Sequence, residues 1–146
     1  MLATLAACTS SSGASYTEAQ DTTNNWNVGG TPEDSGLSLG ANGSITIDAV
    51  VDDDHYDSED LDNDTFKFTV TAASTATVTL TGADANVALQ AFWVEALDPT
   101  LHGTDVRIGS PTTVELSPGI WLLEMHAQNP SPITSSYPYT IEVSAP

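Results

Sequence analysis

The chain has 146 residues, and its 2 Lys+Arg against 20 Asp+Glu give a formal charge of −18 at pH 7. That imbalance excludes nucleic acid as a partner, because tracking a phosphate backbone requires a basic face. The length suits one domain that buries its own core, and the 20 Thr and 15 Ser favour strands and an extracellular setting.

At the amino terminus, Met1-Leu2-Ala3-Thr4-Leu5-Ala6-Ala7-Cys8 gives way to small polar residues from Thr9 onward. Leu5-Ala6-Ala7-Cys8 resembles the lipobox of bacterial lipoproteins. Residues 1–8 then read as a truncated lipoprotein signal, with no Lys or Arg ahead of Ala7. The resemblance implies cleavage before Cys8, lipidation of its sulfur, and export to the outer membrane or cell surface, otherwise to the extracellular space. As the one cysteine of the chain, Cys8 forms no internal disulfide. Several acyl chains on it, at about 0.8 kcal/mol per buried CH₂, make a stable membrane anchor. No run of apolar residues elsewhere is long enough to span a bilayer.

Residues 9–36 are rich in Ser, Thr, Asn, Gly and Asp, with Tyr16, Trp26 and Val28 as the few large apolar side chains. Such a composition does not offset its own ordering entropy and predicts a flexible polar tether. From about Leu37 to the end at Pro146 the pattern changes to short runs of period-two alternation bounded by Gly, Pro, Asn and Asp. Eight strands are expected: 44–51, 65–70, 76–81, 87–94, 105–108, 112–116, 120–126 and 139–143. In the second, Phe66, Phe68 and Val70 share one face and Thr65, Lys67 and Thr69 the other. The runs 87–94 and 120–125 are apolar on both faces, which predicts a central position or a covering loop. Val87 to Leu97 mixes helix-favouring Ala, Leu and Glu with Phe92, Trp93 and Val94 and is read as strand. The fold class is all-β, an antiparallel two-sheet sandwich.

Between the first two of these strands, Asp52, Asp53, Asp54, Asp57, Glu59, Asp60, Asp62 and Asp64 place 8 of the 20 acids within 13 residues. Two unit charges 4 Å apart repel by about 1 kcal/mol even in water, so an ordered loop here needs neutralisation. Ca²⁺ suits it, taking six to eight oxygens at about 2.3–2.6 Å. Asp60, Asp62 and Asp64 alternate and project to one side of an extended chain, and Asp84 or Asn86 in a later turn completes a candidate shell. The other meaning of such a run is a solvated charged face. The segment lacks the glycine and ligand spacing of an EF-hand. Affinity in so unconstrained a loop is expected near 10⁻⁴–10⁻³ M, on the order of other extracellular calcium modules.

Signals for other chemistry are sparse. His55, His102 and His126 lack metal-ligand spacing. Ser110 sits in a Gly-Ser-Pro turn rather than a nucleophile elbow, and most carboxylates lie along one loop instead of facing each other across a cleft. Trp121, Tyr137 and Tyr139 are candidates for stacking a sugar or peptide, or else for core packing. Residues 128–138, with Pro130, Pro132 and Pro138, read as a rigid exposed loop. High acidity also fits a saline habitat, where surface carboxylates maintain solubility.

Several segments in order resemble bacterial pre-peptidase C-terminal domains. Asp62-Asn63-Asp64-Thr65-Phe66-Lys67-Phe68 is similar to that family's D-x-D-x-F-x-F strand entry, and Val78-Thr79-Leu80-Thr81-Gly82 to the next strand. Ala83-Asp84-Ala85-Asn86-Val87-Ala88-Leu89 occupies the place of its Asp-Leu-x-Leu segment. Ser117-Pro118-Gly119-Ile120-Trp121 looks like its glycine turn into an aromatic strand, and Tyr137-Pro138-Tyr139-Thr140-Ile141 like its closing strand. The resemblance implies a jelly-roll-like sandwich, often calcium-binding, appended to secreted proteases or carried by surface lipoproteins, without catalysis of its own. The functional expectation is a non-enzymatic binding or adhesion module for a polysaccharide or protein. The alternatives are a secreted hydrolase accessory and a structural subunit that assembles through sheet edges.

Overall fold

The computed structural model describes residues 13–18, 31–51, 64–82, 89–96, 104–127 and 137–146. Ten strands occur among them: β1 (Ala14–Thr17), β2 (Glu33–Leu39), β3 (Ser44–Val51), β4 (Thr65–Val70), β5 (Ser74–Thr81), β6 (Leu89–Ala96), β7 (Thr104–Arg107), β8 (Thr112–Leu116), β9 (Gly119–Ala127) and β10 (Tyr137–Ser144). They form two five-stranded sheets, ordered β1-β3-β10-β5-β8 and β2-β4-β9-β6-β7. No helix long and apolar enough to cross a membrane occurs among the described residues.

The chain changes sheet at every connection except β6–β7. This explains the one departure from the expected antiparallel order. Because β2 runs back in the opposite sheet, β1 and β3 point the same way and pair in parallel, and β2 and β4 do likewise with β3 between them. The remaining pairings are antiparallel.

Alternation builds the core. Ile45 and Ile47 of β3, Val78 and Leu80 of β5, and Ile141 and Val143 of β10 meet Phe66, Phe68 and Val70 of β4 and Leu123 of β9 between the layers. Each such side chain, fully buried, contributes about 1.5–3 kcal/mol. On β9 the expectation of burial on both faces holds at Leu122, which is 0% exposed yet lies outside the inter-sheet cluster. Two positions away, Ile120 is 45% exposed.

The eight expected strands all occur, with shifted ends in β5, β6, β7, β9 and β10. Two more, β1 and β2, lie in or begin within residues 9–36 and correct the tether expectation there. Composition misses them because β1 half-buries Tyr16 alone and β2 commits only Leu37 and Leu39 to the core. Parallel pairing of β2 with β4 also breaks register between Asp34 and Ser38, where Gly36 adopts φ +66°. The edge strands are thus short (β1, β7 and β8 have four, four and five residues) or irregular (β2). Short and irregular edges are poor templates for edge-to-edge pairing.

Candidate functional site

One end of the sandwich gathers the strand ends that flank the acidic segment. Register brings the end of β3 to the start of β10 (Val51 opposite Tyr137), and sets the start of β4 beside β9 (Thr65 opposite Glu124). The end of β5 lies beside β10, with Thr81 opposite Thr140. Glu18, at the end of β1, joins the same end through its N–H, which donates to the Asp48 carbonyl at 2.9 Å. Residues 52–63 and 83–88 attach to these strand ends at Val51, Asp64 and Gly82.

Among the expected calcium ligands, Asp64 is described, and Asp60, Asp62 and Asp84 lie outside the described residues. Asp64 has the same parity on β4 as Phe66 and Phe68, so it enters the sandwich interior and is 0% exposed. There Tyr139 Oη donates a 2.7 Å hydrogen bond to Asp64 Oδ2. A buried carboxylate is costly without donors, and this phenol, 2% exposed, supplies one. Gly82 closes the chain of contacts. Its φ is +96°, and a Cβ there would stand 2.9 Å from the Pro138 carbonyl oxygen, so only glycine lets the backbone after β5 pass this close to β10. Gly82, Tyr139 and Asp64 are therefore tied together across both sheets. Among the described residues, no three His, Cys, Asp or Glu side chains converge to hold a metal.

The stacking candidates resolve differently. Trp121 is 7% exposed and its indole N–H donates to the Ser117 carbonyl at 2.8 Å, while Tyr139 is in the core, so neither ring presents a face to solvent. This corrects the stacking expectation for both residues: the parity of β9 and β10 turns them inward. Tyr137 begins β10, and its side chain lies outside the described residues, as does Cys8.

Tyr16 holds the open side of the sandwich. Its hydroxyl donates to Glu33 Oε1 on β2, and its ring tilts against Phe66 with centroids 6.3 Å apart. Burial first, then the hydrogen bond and charge of Glu33 and the charge of Glu18, push its phenol up to about 12. On the outer surface of the second sheet, Lys67 Nζ lies 3.0 Å from Asp34 Oδ2. That contact, with the Gly36 N–H, holds the Asp34 carboxyl below the usual carboxylate range.

A cleft of about 290 Å³ opens on the outer surface of the first sheet at the acidic end. Asp48 and Glu18 line it, with Thr17, Val50, Pro138 and Thr140. Thr140 Oγ1 donates to Asp48 Oδ1 at 2.6 Å, and the Val50 N–H donates to Glu18 Oε2 at 3.2 Å. Both carboxylates are thereby fixed in direction. Alternation along β3 assigns Asp48 to the outer face, but pairing it with Thr140 and Glu18 requires strand register.

Neither the comparison with family models nor that with curated proteins gives a match. Among solved structures, the fold is similar to the pre-peptidase C-terminal domain of a collagenase from Bacillus anthracis. The TM-score is 0.53 and the identity 14%, over 78% of this chain and 97% of that one. PliG, a periplasmic inhibitor of g-type lysozyme from Aeromonas hydrophila, aligns with a TM-score of 0.44 and 17% identity, over 80% of this chain and 100% of that one. The first likeness carries the fold: a two-sheet sandwich of this outline.

Proposed function

We propose that this chain is a non-catalytic accessory module, exported from the cytoplasm and anchored through a lipid on Cys8. Its task is binding, with a polysaccharide or a protein as ligand, and calcium stabilises its acidic end. The observation that carries this reading is the overlap with 97% of a domain whose name places it at the C-terminus of a collagenase, an appendage to a peptidase. The short and irregular edges favour a monomeric module over a subunit that polymerises through its sheets.

For calcium, the supporting features are the donor chemistry and the attachment points. Asp60, Asp62 and Asp84 supply hard oxygen donors of the kind Ca²⁺ takes, from segments tethered at Asp64 and Gly82, which Tyr139 links. In this reading those three carboxylates hold the ion. Asp64, committed to Tyr139 inside the sandwich, fixes the base of the loop. The ion supplies charge neutralisation to a segment that otherwise repels itself.

Thermal unfolding in 5 mM Ca²⁺ against EDTA tests the proposal. A site with Kd near 10⁻⁴–10⁻³ M adds about 1–2 kcal/mol at that concentration, which raises Tm by several degrees, on the order of 3–8 °C for a domain of this size. Asp60→Ala with Asp62→Ala is expected to abolish the rise. An identical Tm in both buffers, unaltered by the double substitution, refutes the calcium reading. Loss of fatty-acid labelling in Cys8→Ser tests the anchor, and labelling that persists in that variant refutes it.

A further inference from the structure

The cleft over Asp48 and Glu18 lies on the outer surface of the first sheet and has its own chemistry. Its volume of about 290 Å³ is at the lower limit of ligand pockets, large enough for one extended side chain and too small for an oligosaccharide. Among the described residues, two carboxylates line it, each aimed by a hydrogen bond from a neighbouring strand or from the backbone. Val50 and Pro138 add aliphatic wall. Among the described residues, no lysine or arginine belongs to this sheet. The chain's two basic residues, Lys67 on β4 and Arg107 on β7, both belong to the other sheet, and Lys67 is paired with Asp34.

We infer that this cleft receives a lysine or arginine side chain of a cationic partner polypeptide. The methylenes lie along Val50 and Pro138, as long basic side chains do on apolar surface, and the charged head meets Asp48 and Glu18. The charge of −18 draws such a partner toward the molecule, and the cleft determines where its side chain docks. This inference rests on the binding-module reading in supposing that a partner exists, and it makes no use of calcium.

The test is a backbone amide NMR titration of the full chain with Nα-acetyl-lysine amide in 0.15 M NaCl, where diffuse attraction is screened beyond about 8 Å. Expected are saturable shifts confined to Glu18, Asp48 to Val50, Gly82 and Thr140, and none with the norleucine analogue, which keeps the chain and lacks the ammonium. Asp48→Asn is expected to weaken binding about fivefold, the upper range for losing one partly exposed ion pair. Glu18→Gln serves as a second variant should the first misfold. Shifts scattered over acidic residues across the surface, equal response to norleucine, or full affinity in both variants overturns the inference. A melting-temperature measurement with calcium on the same sample separates the two claims: a calcium shift without lysine binding leaves the module reading intact and removes only the cleft's assignment.

Discussion

Replacing Tyr139 with Phe deletes one hydroxyl and leaves a ring that packs between the sheets. The lost group is the donor to Asp64 Oδ2 at 2.7 Å, with both residues essentially inaccessible to water. A hydrogen bond to a charged acceptor is worth about 1.5–3 kcal/mol, and a buried acceptor deprived of it bears the full cost, since water does not replace the donor. Tyr139→Phe is therefore expected to destabilise by about 2 kcal/mol, a fall in Tm of roughly 5–10 °C. Urea unfolding followed by tryptophan fluorescence measures it, with the m-value unchanged because the exposed surface does not change. Asp64→Asn keeps an acceptor carbonyl and is expected to cost less than Asp64→Ala. In a double-mutant cycle, Tyr139→Phe and Asp64→Ala should show a coupling of about 1–2 kcal/mol. A Tyr139→Phe protein within 0.5 kcal/mol of the parent, or additive effects in the cycle, would refute the claim that this pair locks the acidic end.

Three further outcomes are expected. Gly82→Ala forces a side chain into the left-handed region at φ +96° and against the Pro138 carbonyl, and should cost about 1–3 kcal/mol by urea unfolding, more than Gly109→Ala, where a Cβ meets open space. The Tyr16 phenol is raised to about 12 in the folded protein, so the folded state holds its proton more tightly than the unfolded state, whose phenol titrates near 10. The stability this contributes is complete below pH 10 and is lost as pH rises toward 12, and Tyr16→Phe should remove that component from an alkaline unfolding series. Asp34, lowered by Lys67, contributes stability that is present above the ordinary carboxylate range and is lost as pH falls through its own titration; in Lys67→Met its NMR titration midpoint should rise.

Legibility from sequence followed burial. β4 and β8 announce themselves through strict alternation of large apolar and polar residues and occur with the expected bounds. β6 runs two residues past the expected end at Val94, because pairing with β9, which sets Ala96 opposite Trp121, carries Glu95 and Ala96 into the strand against their own helix preference. β1 and β2 escape because their pairing depends on neighbours rather than on their own apolar content. The acidic end was legible as a density of carboxylates, but the roles within it were not. Asp64 looks like one more loop ligand until its partner Tyr139, 75 residues away, is known. The cleft depends on Asp48 and Thr140, 92 residues apart, a relation that only register reveals.

A crystal structure of the full chain grown in calcium, with anomalous scattering recorded to identify the metal, examines the proposed function most directly. The expected result is one ion bound by Asp60, Asp62 and Asp84 at about 2.3–2.6 Å, with Asp64 still accepting from Tyr139 behind it. Those three carboxylates turned separately into solvent, with no metal among them, would contradict it.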